Sequence, residues 1–147
     1  MPASLLEPAI TPETEIATDT PVIKRGEATS LQLALAAARI AAENRGENIT
    51  VLDLREVTPV FDYFVIATGT NRRQLHAISE EIDHYLEDDL GEPRMGIEGY
   101  VESRWILLDY GSIVVHLFDA EMRAFYALED LWNDAVKVPL PTDKPQE

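Results

Sequence analysis

A long apolar run, WILLDYGSIVVHLF, occupies residues 105–118 and limits the folds that this chain can adopt. Its two halves are rich in β-branched, aromatic and leucine side chains, and Gly111 and Ser112 separate them. A short interruption that contains glycine is typical of a tight hairpin turn. The run therefore predicts two neighbouring antiparallel strands, over residues 104–110 and 113–118.

Alternation along the first of these strands assigns its side chains to two faces of a sheet. Successive side chains of a strand point in opposite directions. One face receives Trp105, Leu107 and Asp109, and the other receives Ile106, Leu108 and Tyr110. One face must pack against helices to bury its apolar side chains, which leaves the other for a partner.

A helix and two more strands are predicted earlier in the chain. A hydroxyl residue at 29–30 can cap a helix over residues 31–43, and Gly46 offers the left-handed conformation that ends it. Residues 49–54 and 63–67 are apolar and β-branched enough to form strands.

Two further helices follow from capping residues and helical spacing. A helix over about 71–90 can be capped by Asn71 and has apolar residues at helical intervals. Another helix begins with Asp119 as its cap. Its apolar side is formed by Phe125, Leu128 and Trp132.

These elements have the order α-β-β-α-β-β-α, and the glycine-containing residues 94–100 allow one further short strand. This order predicts an α/β fold with a mixed β-sheet flanked by helices. Residues 1–26 contain several prolines without sustained periodicity, which predicts a disordered N-terminal tail. A single domain is predicted over residues 27–138, followed by a C-terminal tail over 139–147.

Charge restricts the partners of this domain. The chain has 27 acidic and 12 basic side chains, so its net charge is −15. This charge repels nucleic acid and anionic membranes and favours a basic protein partner. The chain has no cysteine, no signal-peptide pattern and no apolar run of the roughly 20 residues that a membrane span needs. These features predict a cytoplasmic protein that binds neither DNA nor membranes.

Motifs for enzymatic chemistry are missing from the sequence. No G-x-S-x-G nucleophile elbow occurs. Nucleotidyl transfer commonly uses two carboxylates that project from one strand face and hold magnesium. However, Asp53 is followed two positions later by Arg55, and Asp109 by Gly111. The alternative function is a nucleotide-binding or nucleotidyl-transferring enzyme that binds phosphate at the turn over 69–71, although a capped structural turn explains these residues more simply.

The histidines do not predict a metal site. His76, Glu80 and His84 recur every fourth residue, but this stripe rotates around a helix and makes joint ligation by all three difficult. His116 alternates with apolar residues on a strand, which predicts a hydrogen-bonded structural histidine. No metal, cofactor or catalytic residue is therefore predicted.

Four ordered segments carry a resemblance to a known family. They are FDYFVIATGT (61–70), GIEG (96–99), WILLDYGSIVVHLF (105–118) and RAFYALEDLW (123–132). Their order and spacing resemble the ribosomal silencing factor family, also called the Iojap family. The resemblance covers about residues 30–135.

The resemblance implies a nucleotidyltransferase-like fold without that fold's catalytic carboxylates, and a protein that is not an enzyme. It implies binding to the large ribosomal subunit through protein L-fourteen, which sterically prevents joining of the small subunit when nutrients are scarce. It also implies that the free protein can form a homodimer.

A set of contact residues is predicted for this partner. Trp105 is predicted to anchor the contact, while Asp109 and Glu98 meet basic side chains. Ordinary core burial is the alternative for Trp105, because tryptophan is often largely buried. The other predicted contacts are Leu107, Tyr110, Arg123, Tyr126 and Glu129.

Overall fold

The computed structural model describes residues 22–141, in which a six-stranded sheet carries helices on both faces. The strands are β1 (Glu47–Asp53), β2 (Tyr63–Gly69), β3 (Gly96–Glu98), β4 (Trp105–Asp109), β5 (Ile113–Asp119) and β6 (Val136–Lys137). The helices are α1 (Ser30–Glu43), α2 (Arg72–His84), α3 (Ala120–Tyr126) and α4 (Leu128–Leu131), with a π-helical turn over Tyr85–Asp89 after α2. The strand order is β3-β4-β5-β2-β1-β6.

This architecture confirms the predicted mixed α/β fold. Strands β2 and β5 are parallel, and the other neighbouring pairs are antiparallel. The predicted hairpin is formed by β4 and β5, and the optional strand near residues 94–100 is β3. The edge strand β6 has no counterpart in the predicted order, because a two-residue strand carries no recognisable pattern.

The central strands explain the continuous apolar runs of the sequence. All seven residues of β2 and the first six of β5 are buried, so both faces of these strands are covered. Helices α1 and α2 pack on one face and form the first core. The strand residues of this core include Val51, Tyr63, Val65, Ile106, Leu108, Val115 and Leu117.

Helix α1 begins as predicted but ends differently. Thr29 caps it, with its side chain accepting the backbone N–H of Gln32. The left-handed residue after the helix is Arg45, at φ 66°, rather than the predicted Gly46. Glycine is needed at position 46 for another reason, since a Cβ there would lie 2.8 Å from the carbonyl oxygen of Ala41.

The domain makes contacts slightly beyond residues 27–138. The backbone N–H of Gly26 donates to the carbonyl of Leu90, and the guanidinium of Arg25 donates to the carbonyl of Asp88. At the other end, Leu140 is buried in the first core. The rest of the two predicted tails, residues 1–21 and 142–147, lies outside the described residues.

The predicted third helix is in fact two short helices. Ala127, at φ 43° and ψ 57°, is left-handed and separates α3 from α4. The predicted common side of Phe125, Leu128 and Trp132 is therefore wrong. Leu128 and Trp132 pack against the sheet, whereas Phe125 is 74% exposed. Among residues 22–141, no helix has the length and apolar character needed to cross a membrane.

Candidate partner-binding surface

The second face of the sheet carries a smaller core and an incompletely covered edge. We call this cluster the second core, and its buried members are Leu52, Leu54, Phe64, Ile66, Val114, Phe118 and Leu128. Met122 of α3 and Trp132 pack against it, so the C-terminal elements cover part of this face. Towards β3, Trp105 and Leu107 of β4 are only partly buried.

Strand register places several predicted contacts side by side. Glu98 of β3 is opposite Leu107 of β4, which in turn is opposite His116 of β5. Trp105 is opposite Phe118. Directly opposed residues of antiparallel strands lie on the same face. Glu98, Leu107 and Trp105 therefore share the side of the sheet where cover is incomplete.

Aromatic contacts extend this area onto α3. The ring centroids of Trp105 and Tyr126 are 4.5 Å apart, and those of Tyr126 and Phe125 are 5.0 Å apart. Tyr126 and Phe125 are both exposed. We call Trp105, Leu107, Phe125 and Tyr126 the apolar surface. A contiguous exposed apolar patch typically marks a site of interaction.

The indole of Trp105 is held from two directions. One side stacks on the ring of Phe118, at a centroid distance of 4.9 Å and an interplanar angle of 28°. Its Nε1–H donates a hydrogen bond of 3.1 Å to Nδ1 of His116. The side chain is thus half-buried, and neither of the two predicted environments, core or interface, describes it alone.

His116 lies beneath the indole and is 4% exposed. Burial lowers the pKa of this imidazole to about 4, because a charged ring would lose its hydration. Its Nδ1 accepts from Trp105, while Nε2 has no hydrogen-bond partner in the described residues. The prediction of a hydrogen-bonded structural histidine therefore holds for only one ring nitrogen.

Asp109 at the end of β4 and the following Tyr110, both predicted as partner contacts, make contacts within the domain instead. The carboxylate of Asp109 accepts the backbone N–H of Gly111 at 2.8 Å and so closes the hairpin turn. Tyr110 is 2% exposed in the first core, on the face opposite Trp105. Its hydroxyl donates to Asp83, and burial raises its pKa. The side chain of Tyr110 is therefore not available to a partner, contrary to the prediction.

Arg123 and Glu129, predicted as contacts, bond to each other. Their side chains form an ion pair and are 12% and 26% exposed. The guanidinium also donates to the hydroxyls of Thr68 and Thr50, at 2.9 and 3.2 Å. Burial is the largest single influence on Glu129 and raises its pKa, but the side-chain hydrogen bond and charge of Arg123, a backbone hydrogen bond and the charge of Lys137 together lower that pKa. This network fixes α3 and α4 against β1 and β2.

Arg123→Met should lower the free energy of unfolding by about 1 to 2 kcal/mol, because the half-buried Glu129 carboxylate loses its partner. Denaturant unfolding measures this difference. The matched control is Arg39→Met, which removes an ion pair with the exposed Glu43 carboxylate in α1. That change should matter little. Equal losses from the two variants would show that the Arg123 network contributes no more than a surface pair.

The histidine stripe on α2 has other partners. His76 stacks on Tyr100 at 4.0 Å, and its Nε2 lies 2.6 Å from the hydroxyl of Ser103. Glu80 accepts the hydroxyl of Tyr100, and His84 pairs with Asp88 further along the chain. Within residues 22–141, no group of three ligating side chains could hold a metal ion.

The turn before α2 is occupied by its own side chains. The backbone N–H of Thr70 donates to the Gln74 side chain at 2.6 Å, and that of Gln74 donates to Asn71 at 2.8 Å. A Cβ at Gly69 would lie 2.6 Å from Leu75. These contacts are those of a capped turn packed against a helix.

The sequence did not identify Phe125 as an exposed residue. Helical spacing placed Phe125 on the packed side of one continuous helix. An alanine at position 127 gives no indication of the left-handed conformation that interrupts this helix. Leu131 of α4 is also exposed, at 71%. The only signal was the aromatic pair Phe125 and Tyr126 itself, because adjacent side chains point about 100° apart around a helix and need a wide packed face to be buried together.

Together the fold and the surface define a class: an acidic mixed α/β domain that exposes an aromatic patch beside a carboxylate-bearing sheet edge. A family model described as "Ribosomal silencing factor during starvation" matches residues 27–147. The chain belongs to this ribosomal silencing factor family.

Individual relatives agree with this assignment. A Bacillus subtilis protein named "Ribosomal silencing factor RsfS" is 39% identical over 99 residues, which are 67% of this chain and 83% of the relative. An Arabidopsis thaliana protein named "Protein Iojap, chloroplastic" is 33% identical over 115 residues, covering 78% of this chain and 48% of the relative. A crystal structure of a Chromobacterium violaceum protein has a TM-score of 0.69 at 27% identity and covers 79% and 95% of the two chains.

Proposed function

We propose that this protein binds the large ribosomal subunit through its apolar surface and prevents the small subunit from joining. The contact is made with protein L-fourteen, and translation falls by steric exclusion in the cytoplasm when nutrients are limiting. Membership of the ribosomal silencing factor family supports this proposal. The observation that carries it is the half-buried Trp105 within an exposed aromatic patch.

The surface has the composition of a protein contact. Tryptophan and tyrosine are enriched among the residues that dominate binding energy. A carboxylate borders the patch, because Glu98 of the edge strand is opposite Leu107. A net charge of −15 adds long-range attraction to a basic partner such as a ribosomal protein.

The proposed contacts are Trp105, Leu107, Glu98, Tyr126 and Phe125. Asp109 borders the same face, but its first role is to close the hairpin turn. No catalytic residue is proposed, and the family's regulatory name favours a protein that is not an enzyme. The nucleotide-binding alternative is not favoured, because the amides of Thr70 and Gln74 already have acceptors. Self-association of the free protein stays a prediction, which its elution volume in gel filtration would test.

Sucrose-gradient sedimentation of purified ribosomal subunits tests the proposal. Large and small subunits are mixed at a magnesium concentration that permits joining, with and without this protein. The protein should travel with large subunits, and the joined ribosomes should decline. Excess isolated protein L-fourteen should release the protein from the subunit. A protein that stays at the top of the gradient while joining is unchanged would contradict the proposal.

A further inference from the structure

We infer that His116 is a positioning residue for Trp105: by accepting the indole N–H at Nδ1, it fixes the orientation in which the apolar surface presents the indole to its partner. This inference rests on the proposed function. It assigns the buried histidine a role in recognition although its own side chain cannot reach a partner.

The geometry makes the hydrogen bond the directional restraint on the indole. Phe118 and Tyr126 hold Trp105 through ring contacts, at centroid distances of 4.9 and 4.5 Å. Ring contacts tolerate sliding and tilting, whereas a hydrogen bond specifies which edge of the indole faces inward. The 3.1 Å bond to His116 therefore selects one orientation of a half-exposed side chain. Ordering this side chain before binding reduces the entropy that the complex must lose.

The protonation state of His116 follows from its partner. An indole N–H is only a donor, so the Nδ1 that receives it carries no proton. The proton of the neutral ring is then on Nε2, where no acceptor occurs in the described residues. A buried donor without an acceptor costs stability. An apolar residue would avoid that cost in the second core, so the bond to Trp105 is what this histidine contributes.

No charged neighbour is needed to keep the ring neutral. The charged residues on the elements around it are Glu98, Asp109, Asp119, Glu121, Arg123, Glu129 and Asp130. Glu121 pairs with Arg104, and Asp130 is exposed. Arg123 pairs with Glu129, and Asp119 pairs with Arg104. Asp109 is bonded in the hairpin turn, and Glu98 is exposed at the sheet edge. Burial of the imidazole accounts for its lowered pKa of about 4.

The test compares His116→Asn with His116→Leu. The two side chains have nearly the same shape, but only the asparagine oxygen can accept the indole N–H near the position of Nδ1. The Leu variant should expose the Trp105 indole N–H to faster hydrogen exchange and weaken binding to purified large subunits roughly 5-fold. The Asn variant should keep the slow exchange of the indole N–H and most of the binding to large subunits. The Trp105 signal is assigned in ¹H–¹⁵N spectra by comparison with Trp132→Phe.

A double-mutant cycle separates positioning from packing. Trp105→Phe keeps an aromatic ring but lacks the donor, so His116→Leu should cause no further loss of binding in that background. Additive losses would overturn the inference, as would full binding by the Leu variant. If the unchanged protein does not bind large subunits, the proposed function fails, while indole exchange still reports whether the hydrogen bond restrains Trp105.

Stability against pH gives an independent readout. Because the pKa of His116 is about 4 in the folded protein and near 6.5 when unfolded, the unfolded chain binds more protons between these values. The stability that this pKa difference contributes is fully present above a pH of about 6.5. It is lost as the pH falls towards 4. From pH 7 to 5, the melting temperature of the unchanged protein should fall roughly 5 to 10 °C further than that of His116→Asn. If the melting temperatures of the two proteins fall equally between pH 7 and 5, the imidazole is not buried as a neutral ring.

Discussion

Trp105→Ala should weaken binding to the large ribosomal subunit at least roughly 30-fold, a loss of about 2 kcal/mol or more. The indole occupies the junction between β4 and α3, where its rings contact Phe118 and Tyr126. Truncation removes the largest apolar side chain of the surface and leaves a hollow where the partner is expected to pack. Co-sedimentation with large subunits over a concentration series measures the change.

Trp105 is half-buried, so its removal also affects folding, and two further variants isolate the binding effect. Phe125→Ser changes a side chain that is 74% exposed and should weaken binding while leaving the melting temperature nearly unchanged. Val60→Ala changes an exposed side chain before β2, at the opposite end of the sheet, and should leave binding intact. If all three variants bind like the unchanged protein, the apolar surface is not the contact.

Gly99→Ala should destabilise the protein by roughly 3 to 4 kcal/mol, the sum of backbone strain and overpacking. Gly99 has φ +77°, in the left-handed region that side chains rarely adopt. A Cβ there would lie 2.0 Å from the backbone carbonyl oxygen of Trp105, and backbone cannot move aside as a flexible side chain can. Denaturant unfolding measures the loss. Because the clash is with Trp105 itself, binding to large subunits should fall as well.

Gly96→Ala is the matched control for this substitution. Gly96 lies three residues earlier, in β3, and a Cβ there would meet nothing within 4 Å. This variant should keep nearly full stability and binding. An equal loss from the two variants would mean that glycine in this segment matters for flexibility rather than for the close approach of Gly99 to Trp105.

Much of the secondary structure was predictable because its signals are local. Thr29, Asn71 and Asp119 each cap a helix as predicted, with a side-chain oxygen that accepts the N–H three residues later. The glycine-containing interruption between β4 and β5 forms the predicted antiparallel hairpin. Such signals need only a few neighbouring residues, so the sequence alone reveals them.

Local signals gave a wrong prediction where the folded backbone adopts a conformation that the residue type does not favour. Ala127 is left-handed although alanine favours helix, and this residue turns Phe125 towards solvent. Leu128 packs in the second core directly after this break, and the ion pair of Arg123 with Glu129 spans it. None of these contacts has a sequence pattern of its own.

Local patterns in the sequence were sufficient to predict the order of the main elements, the mixed α/β fold and the division of β4 into two faces, but not β6 or the break at Ala127. The sequence also carried the resemblance to the ribosomal silencing factor family. Tertiary packing sets which face of β4 the helices cover, and hence that Tyr110 is buried while Trp105 is partly open. It also determines that Trp105 bonds to His116. The physical reason is that alternation and capping act between neighbours in the chain, whereas burial depends on segments that meet only after folding.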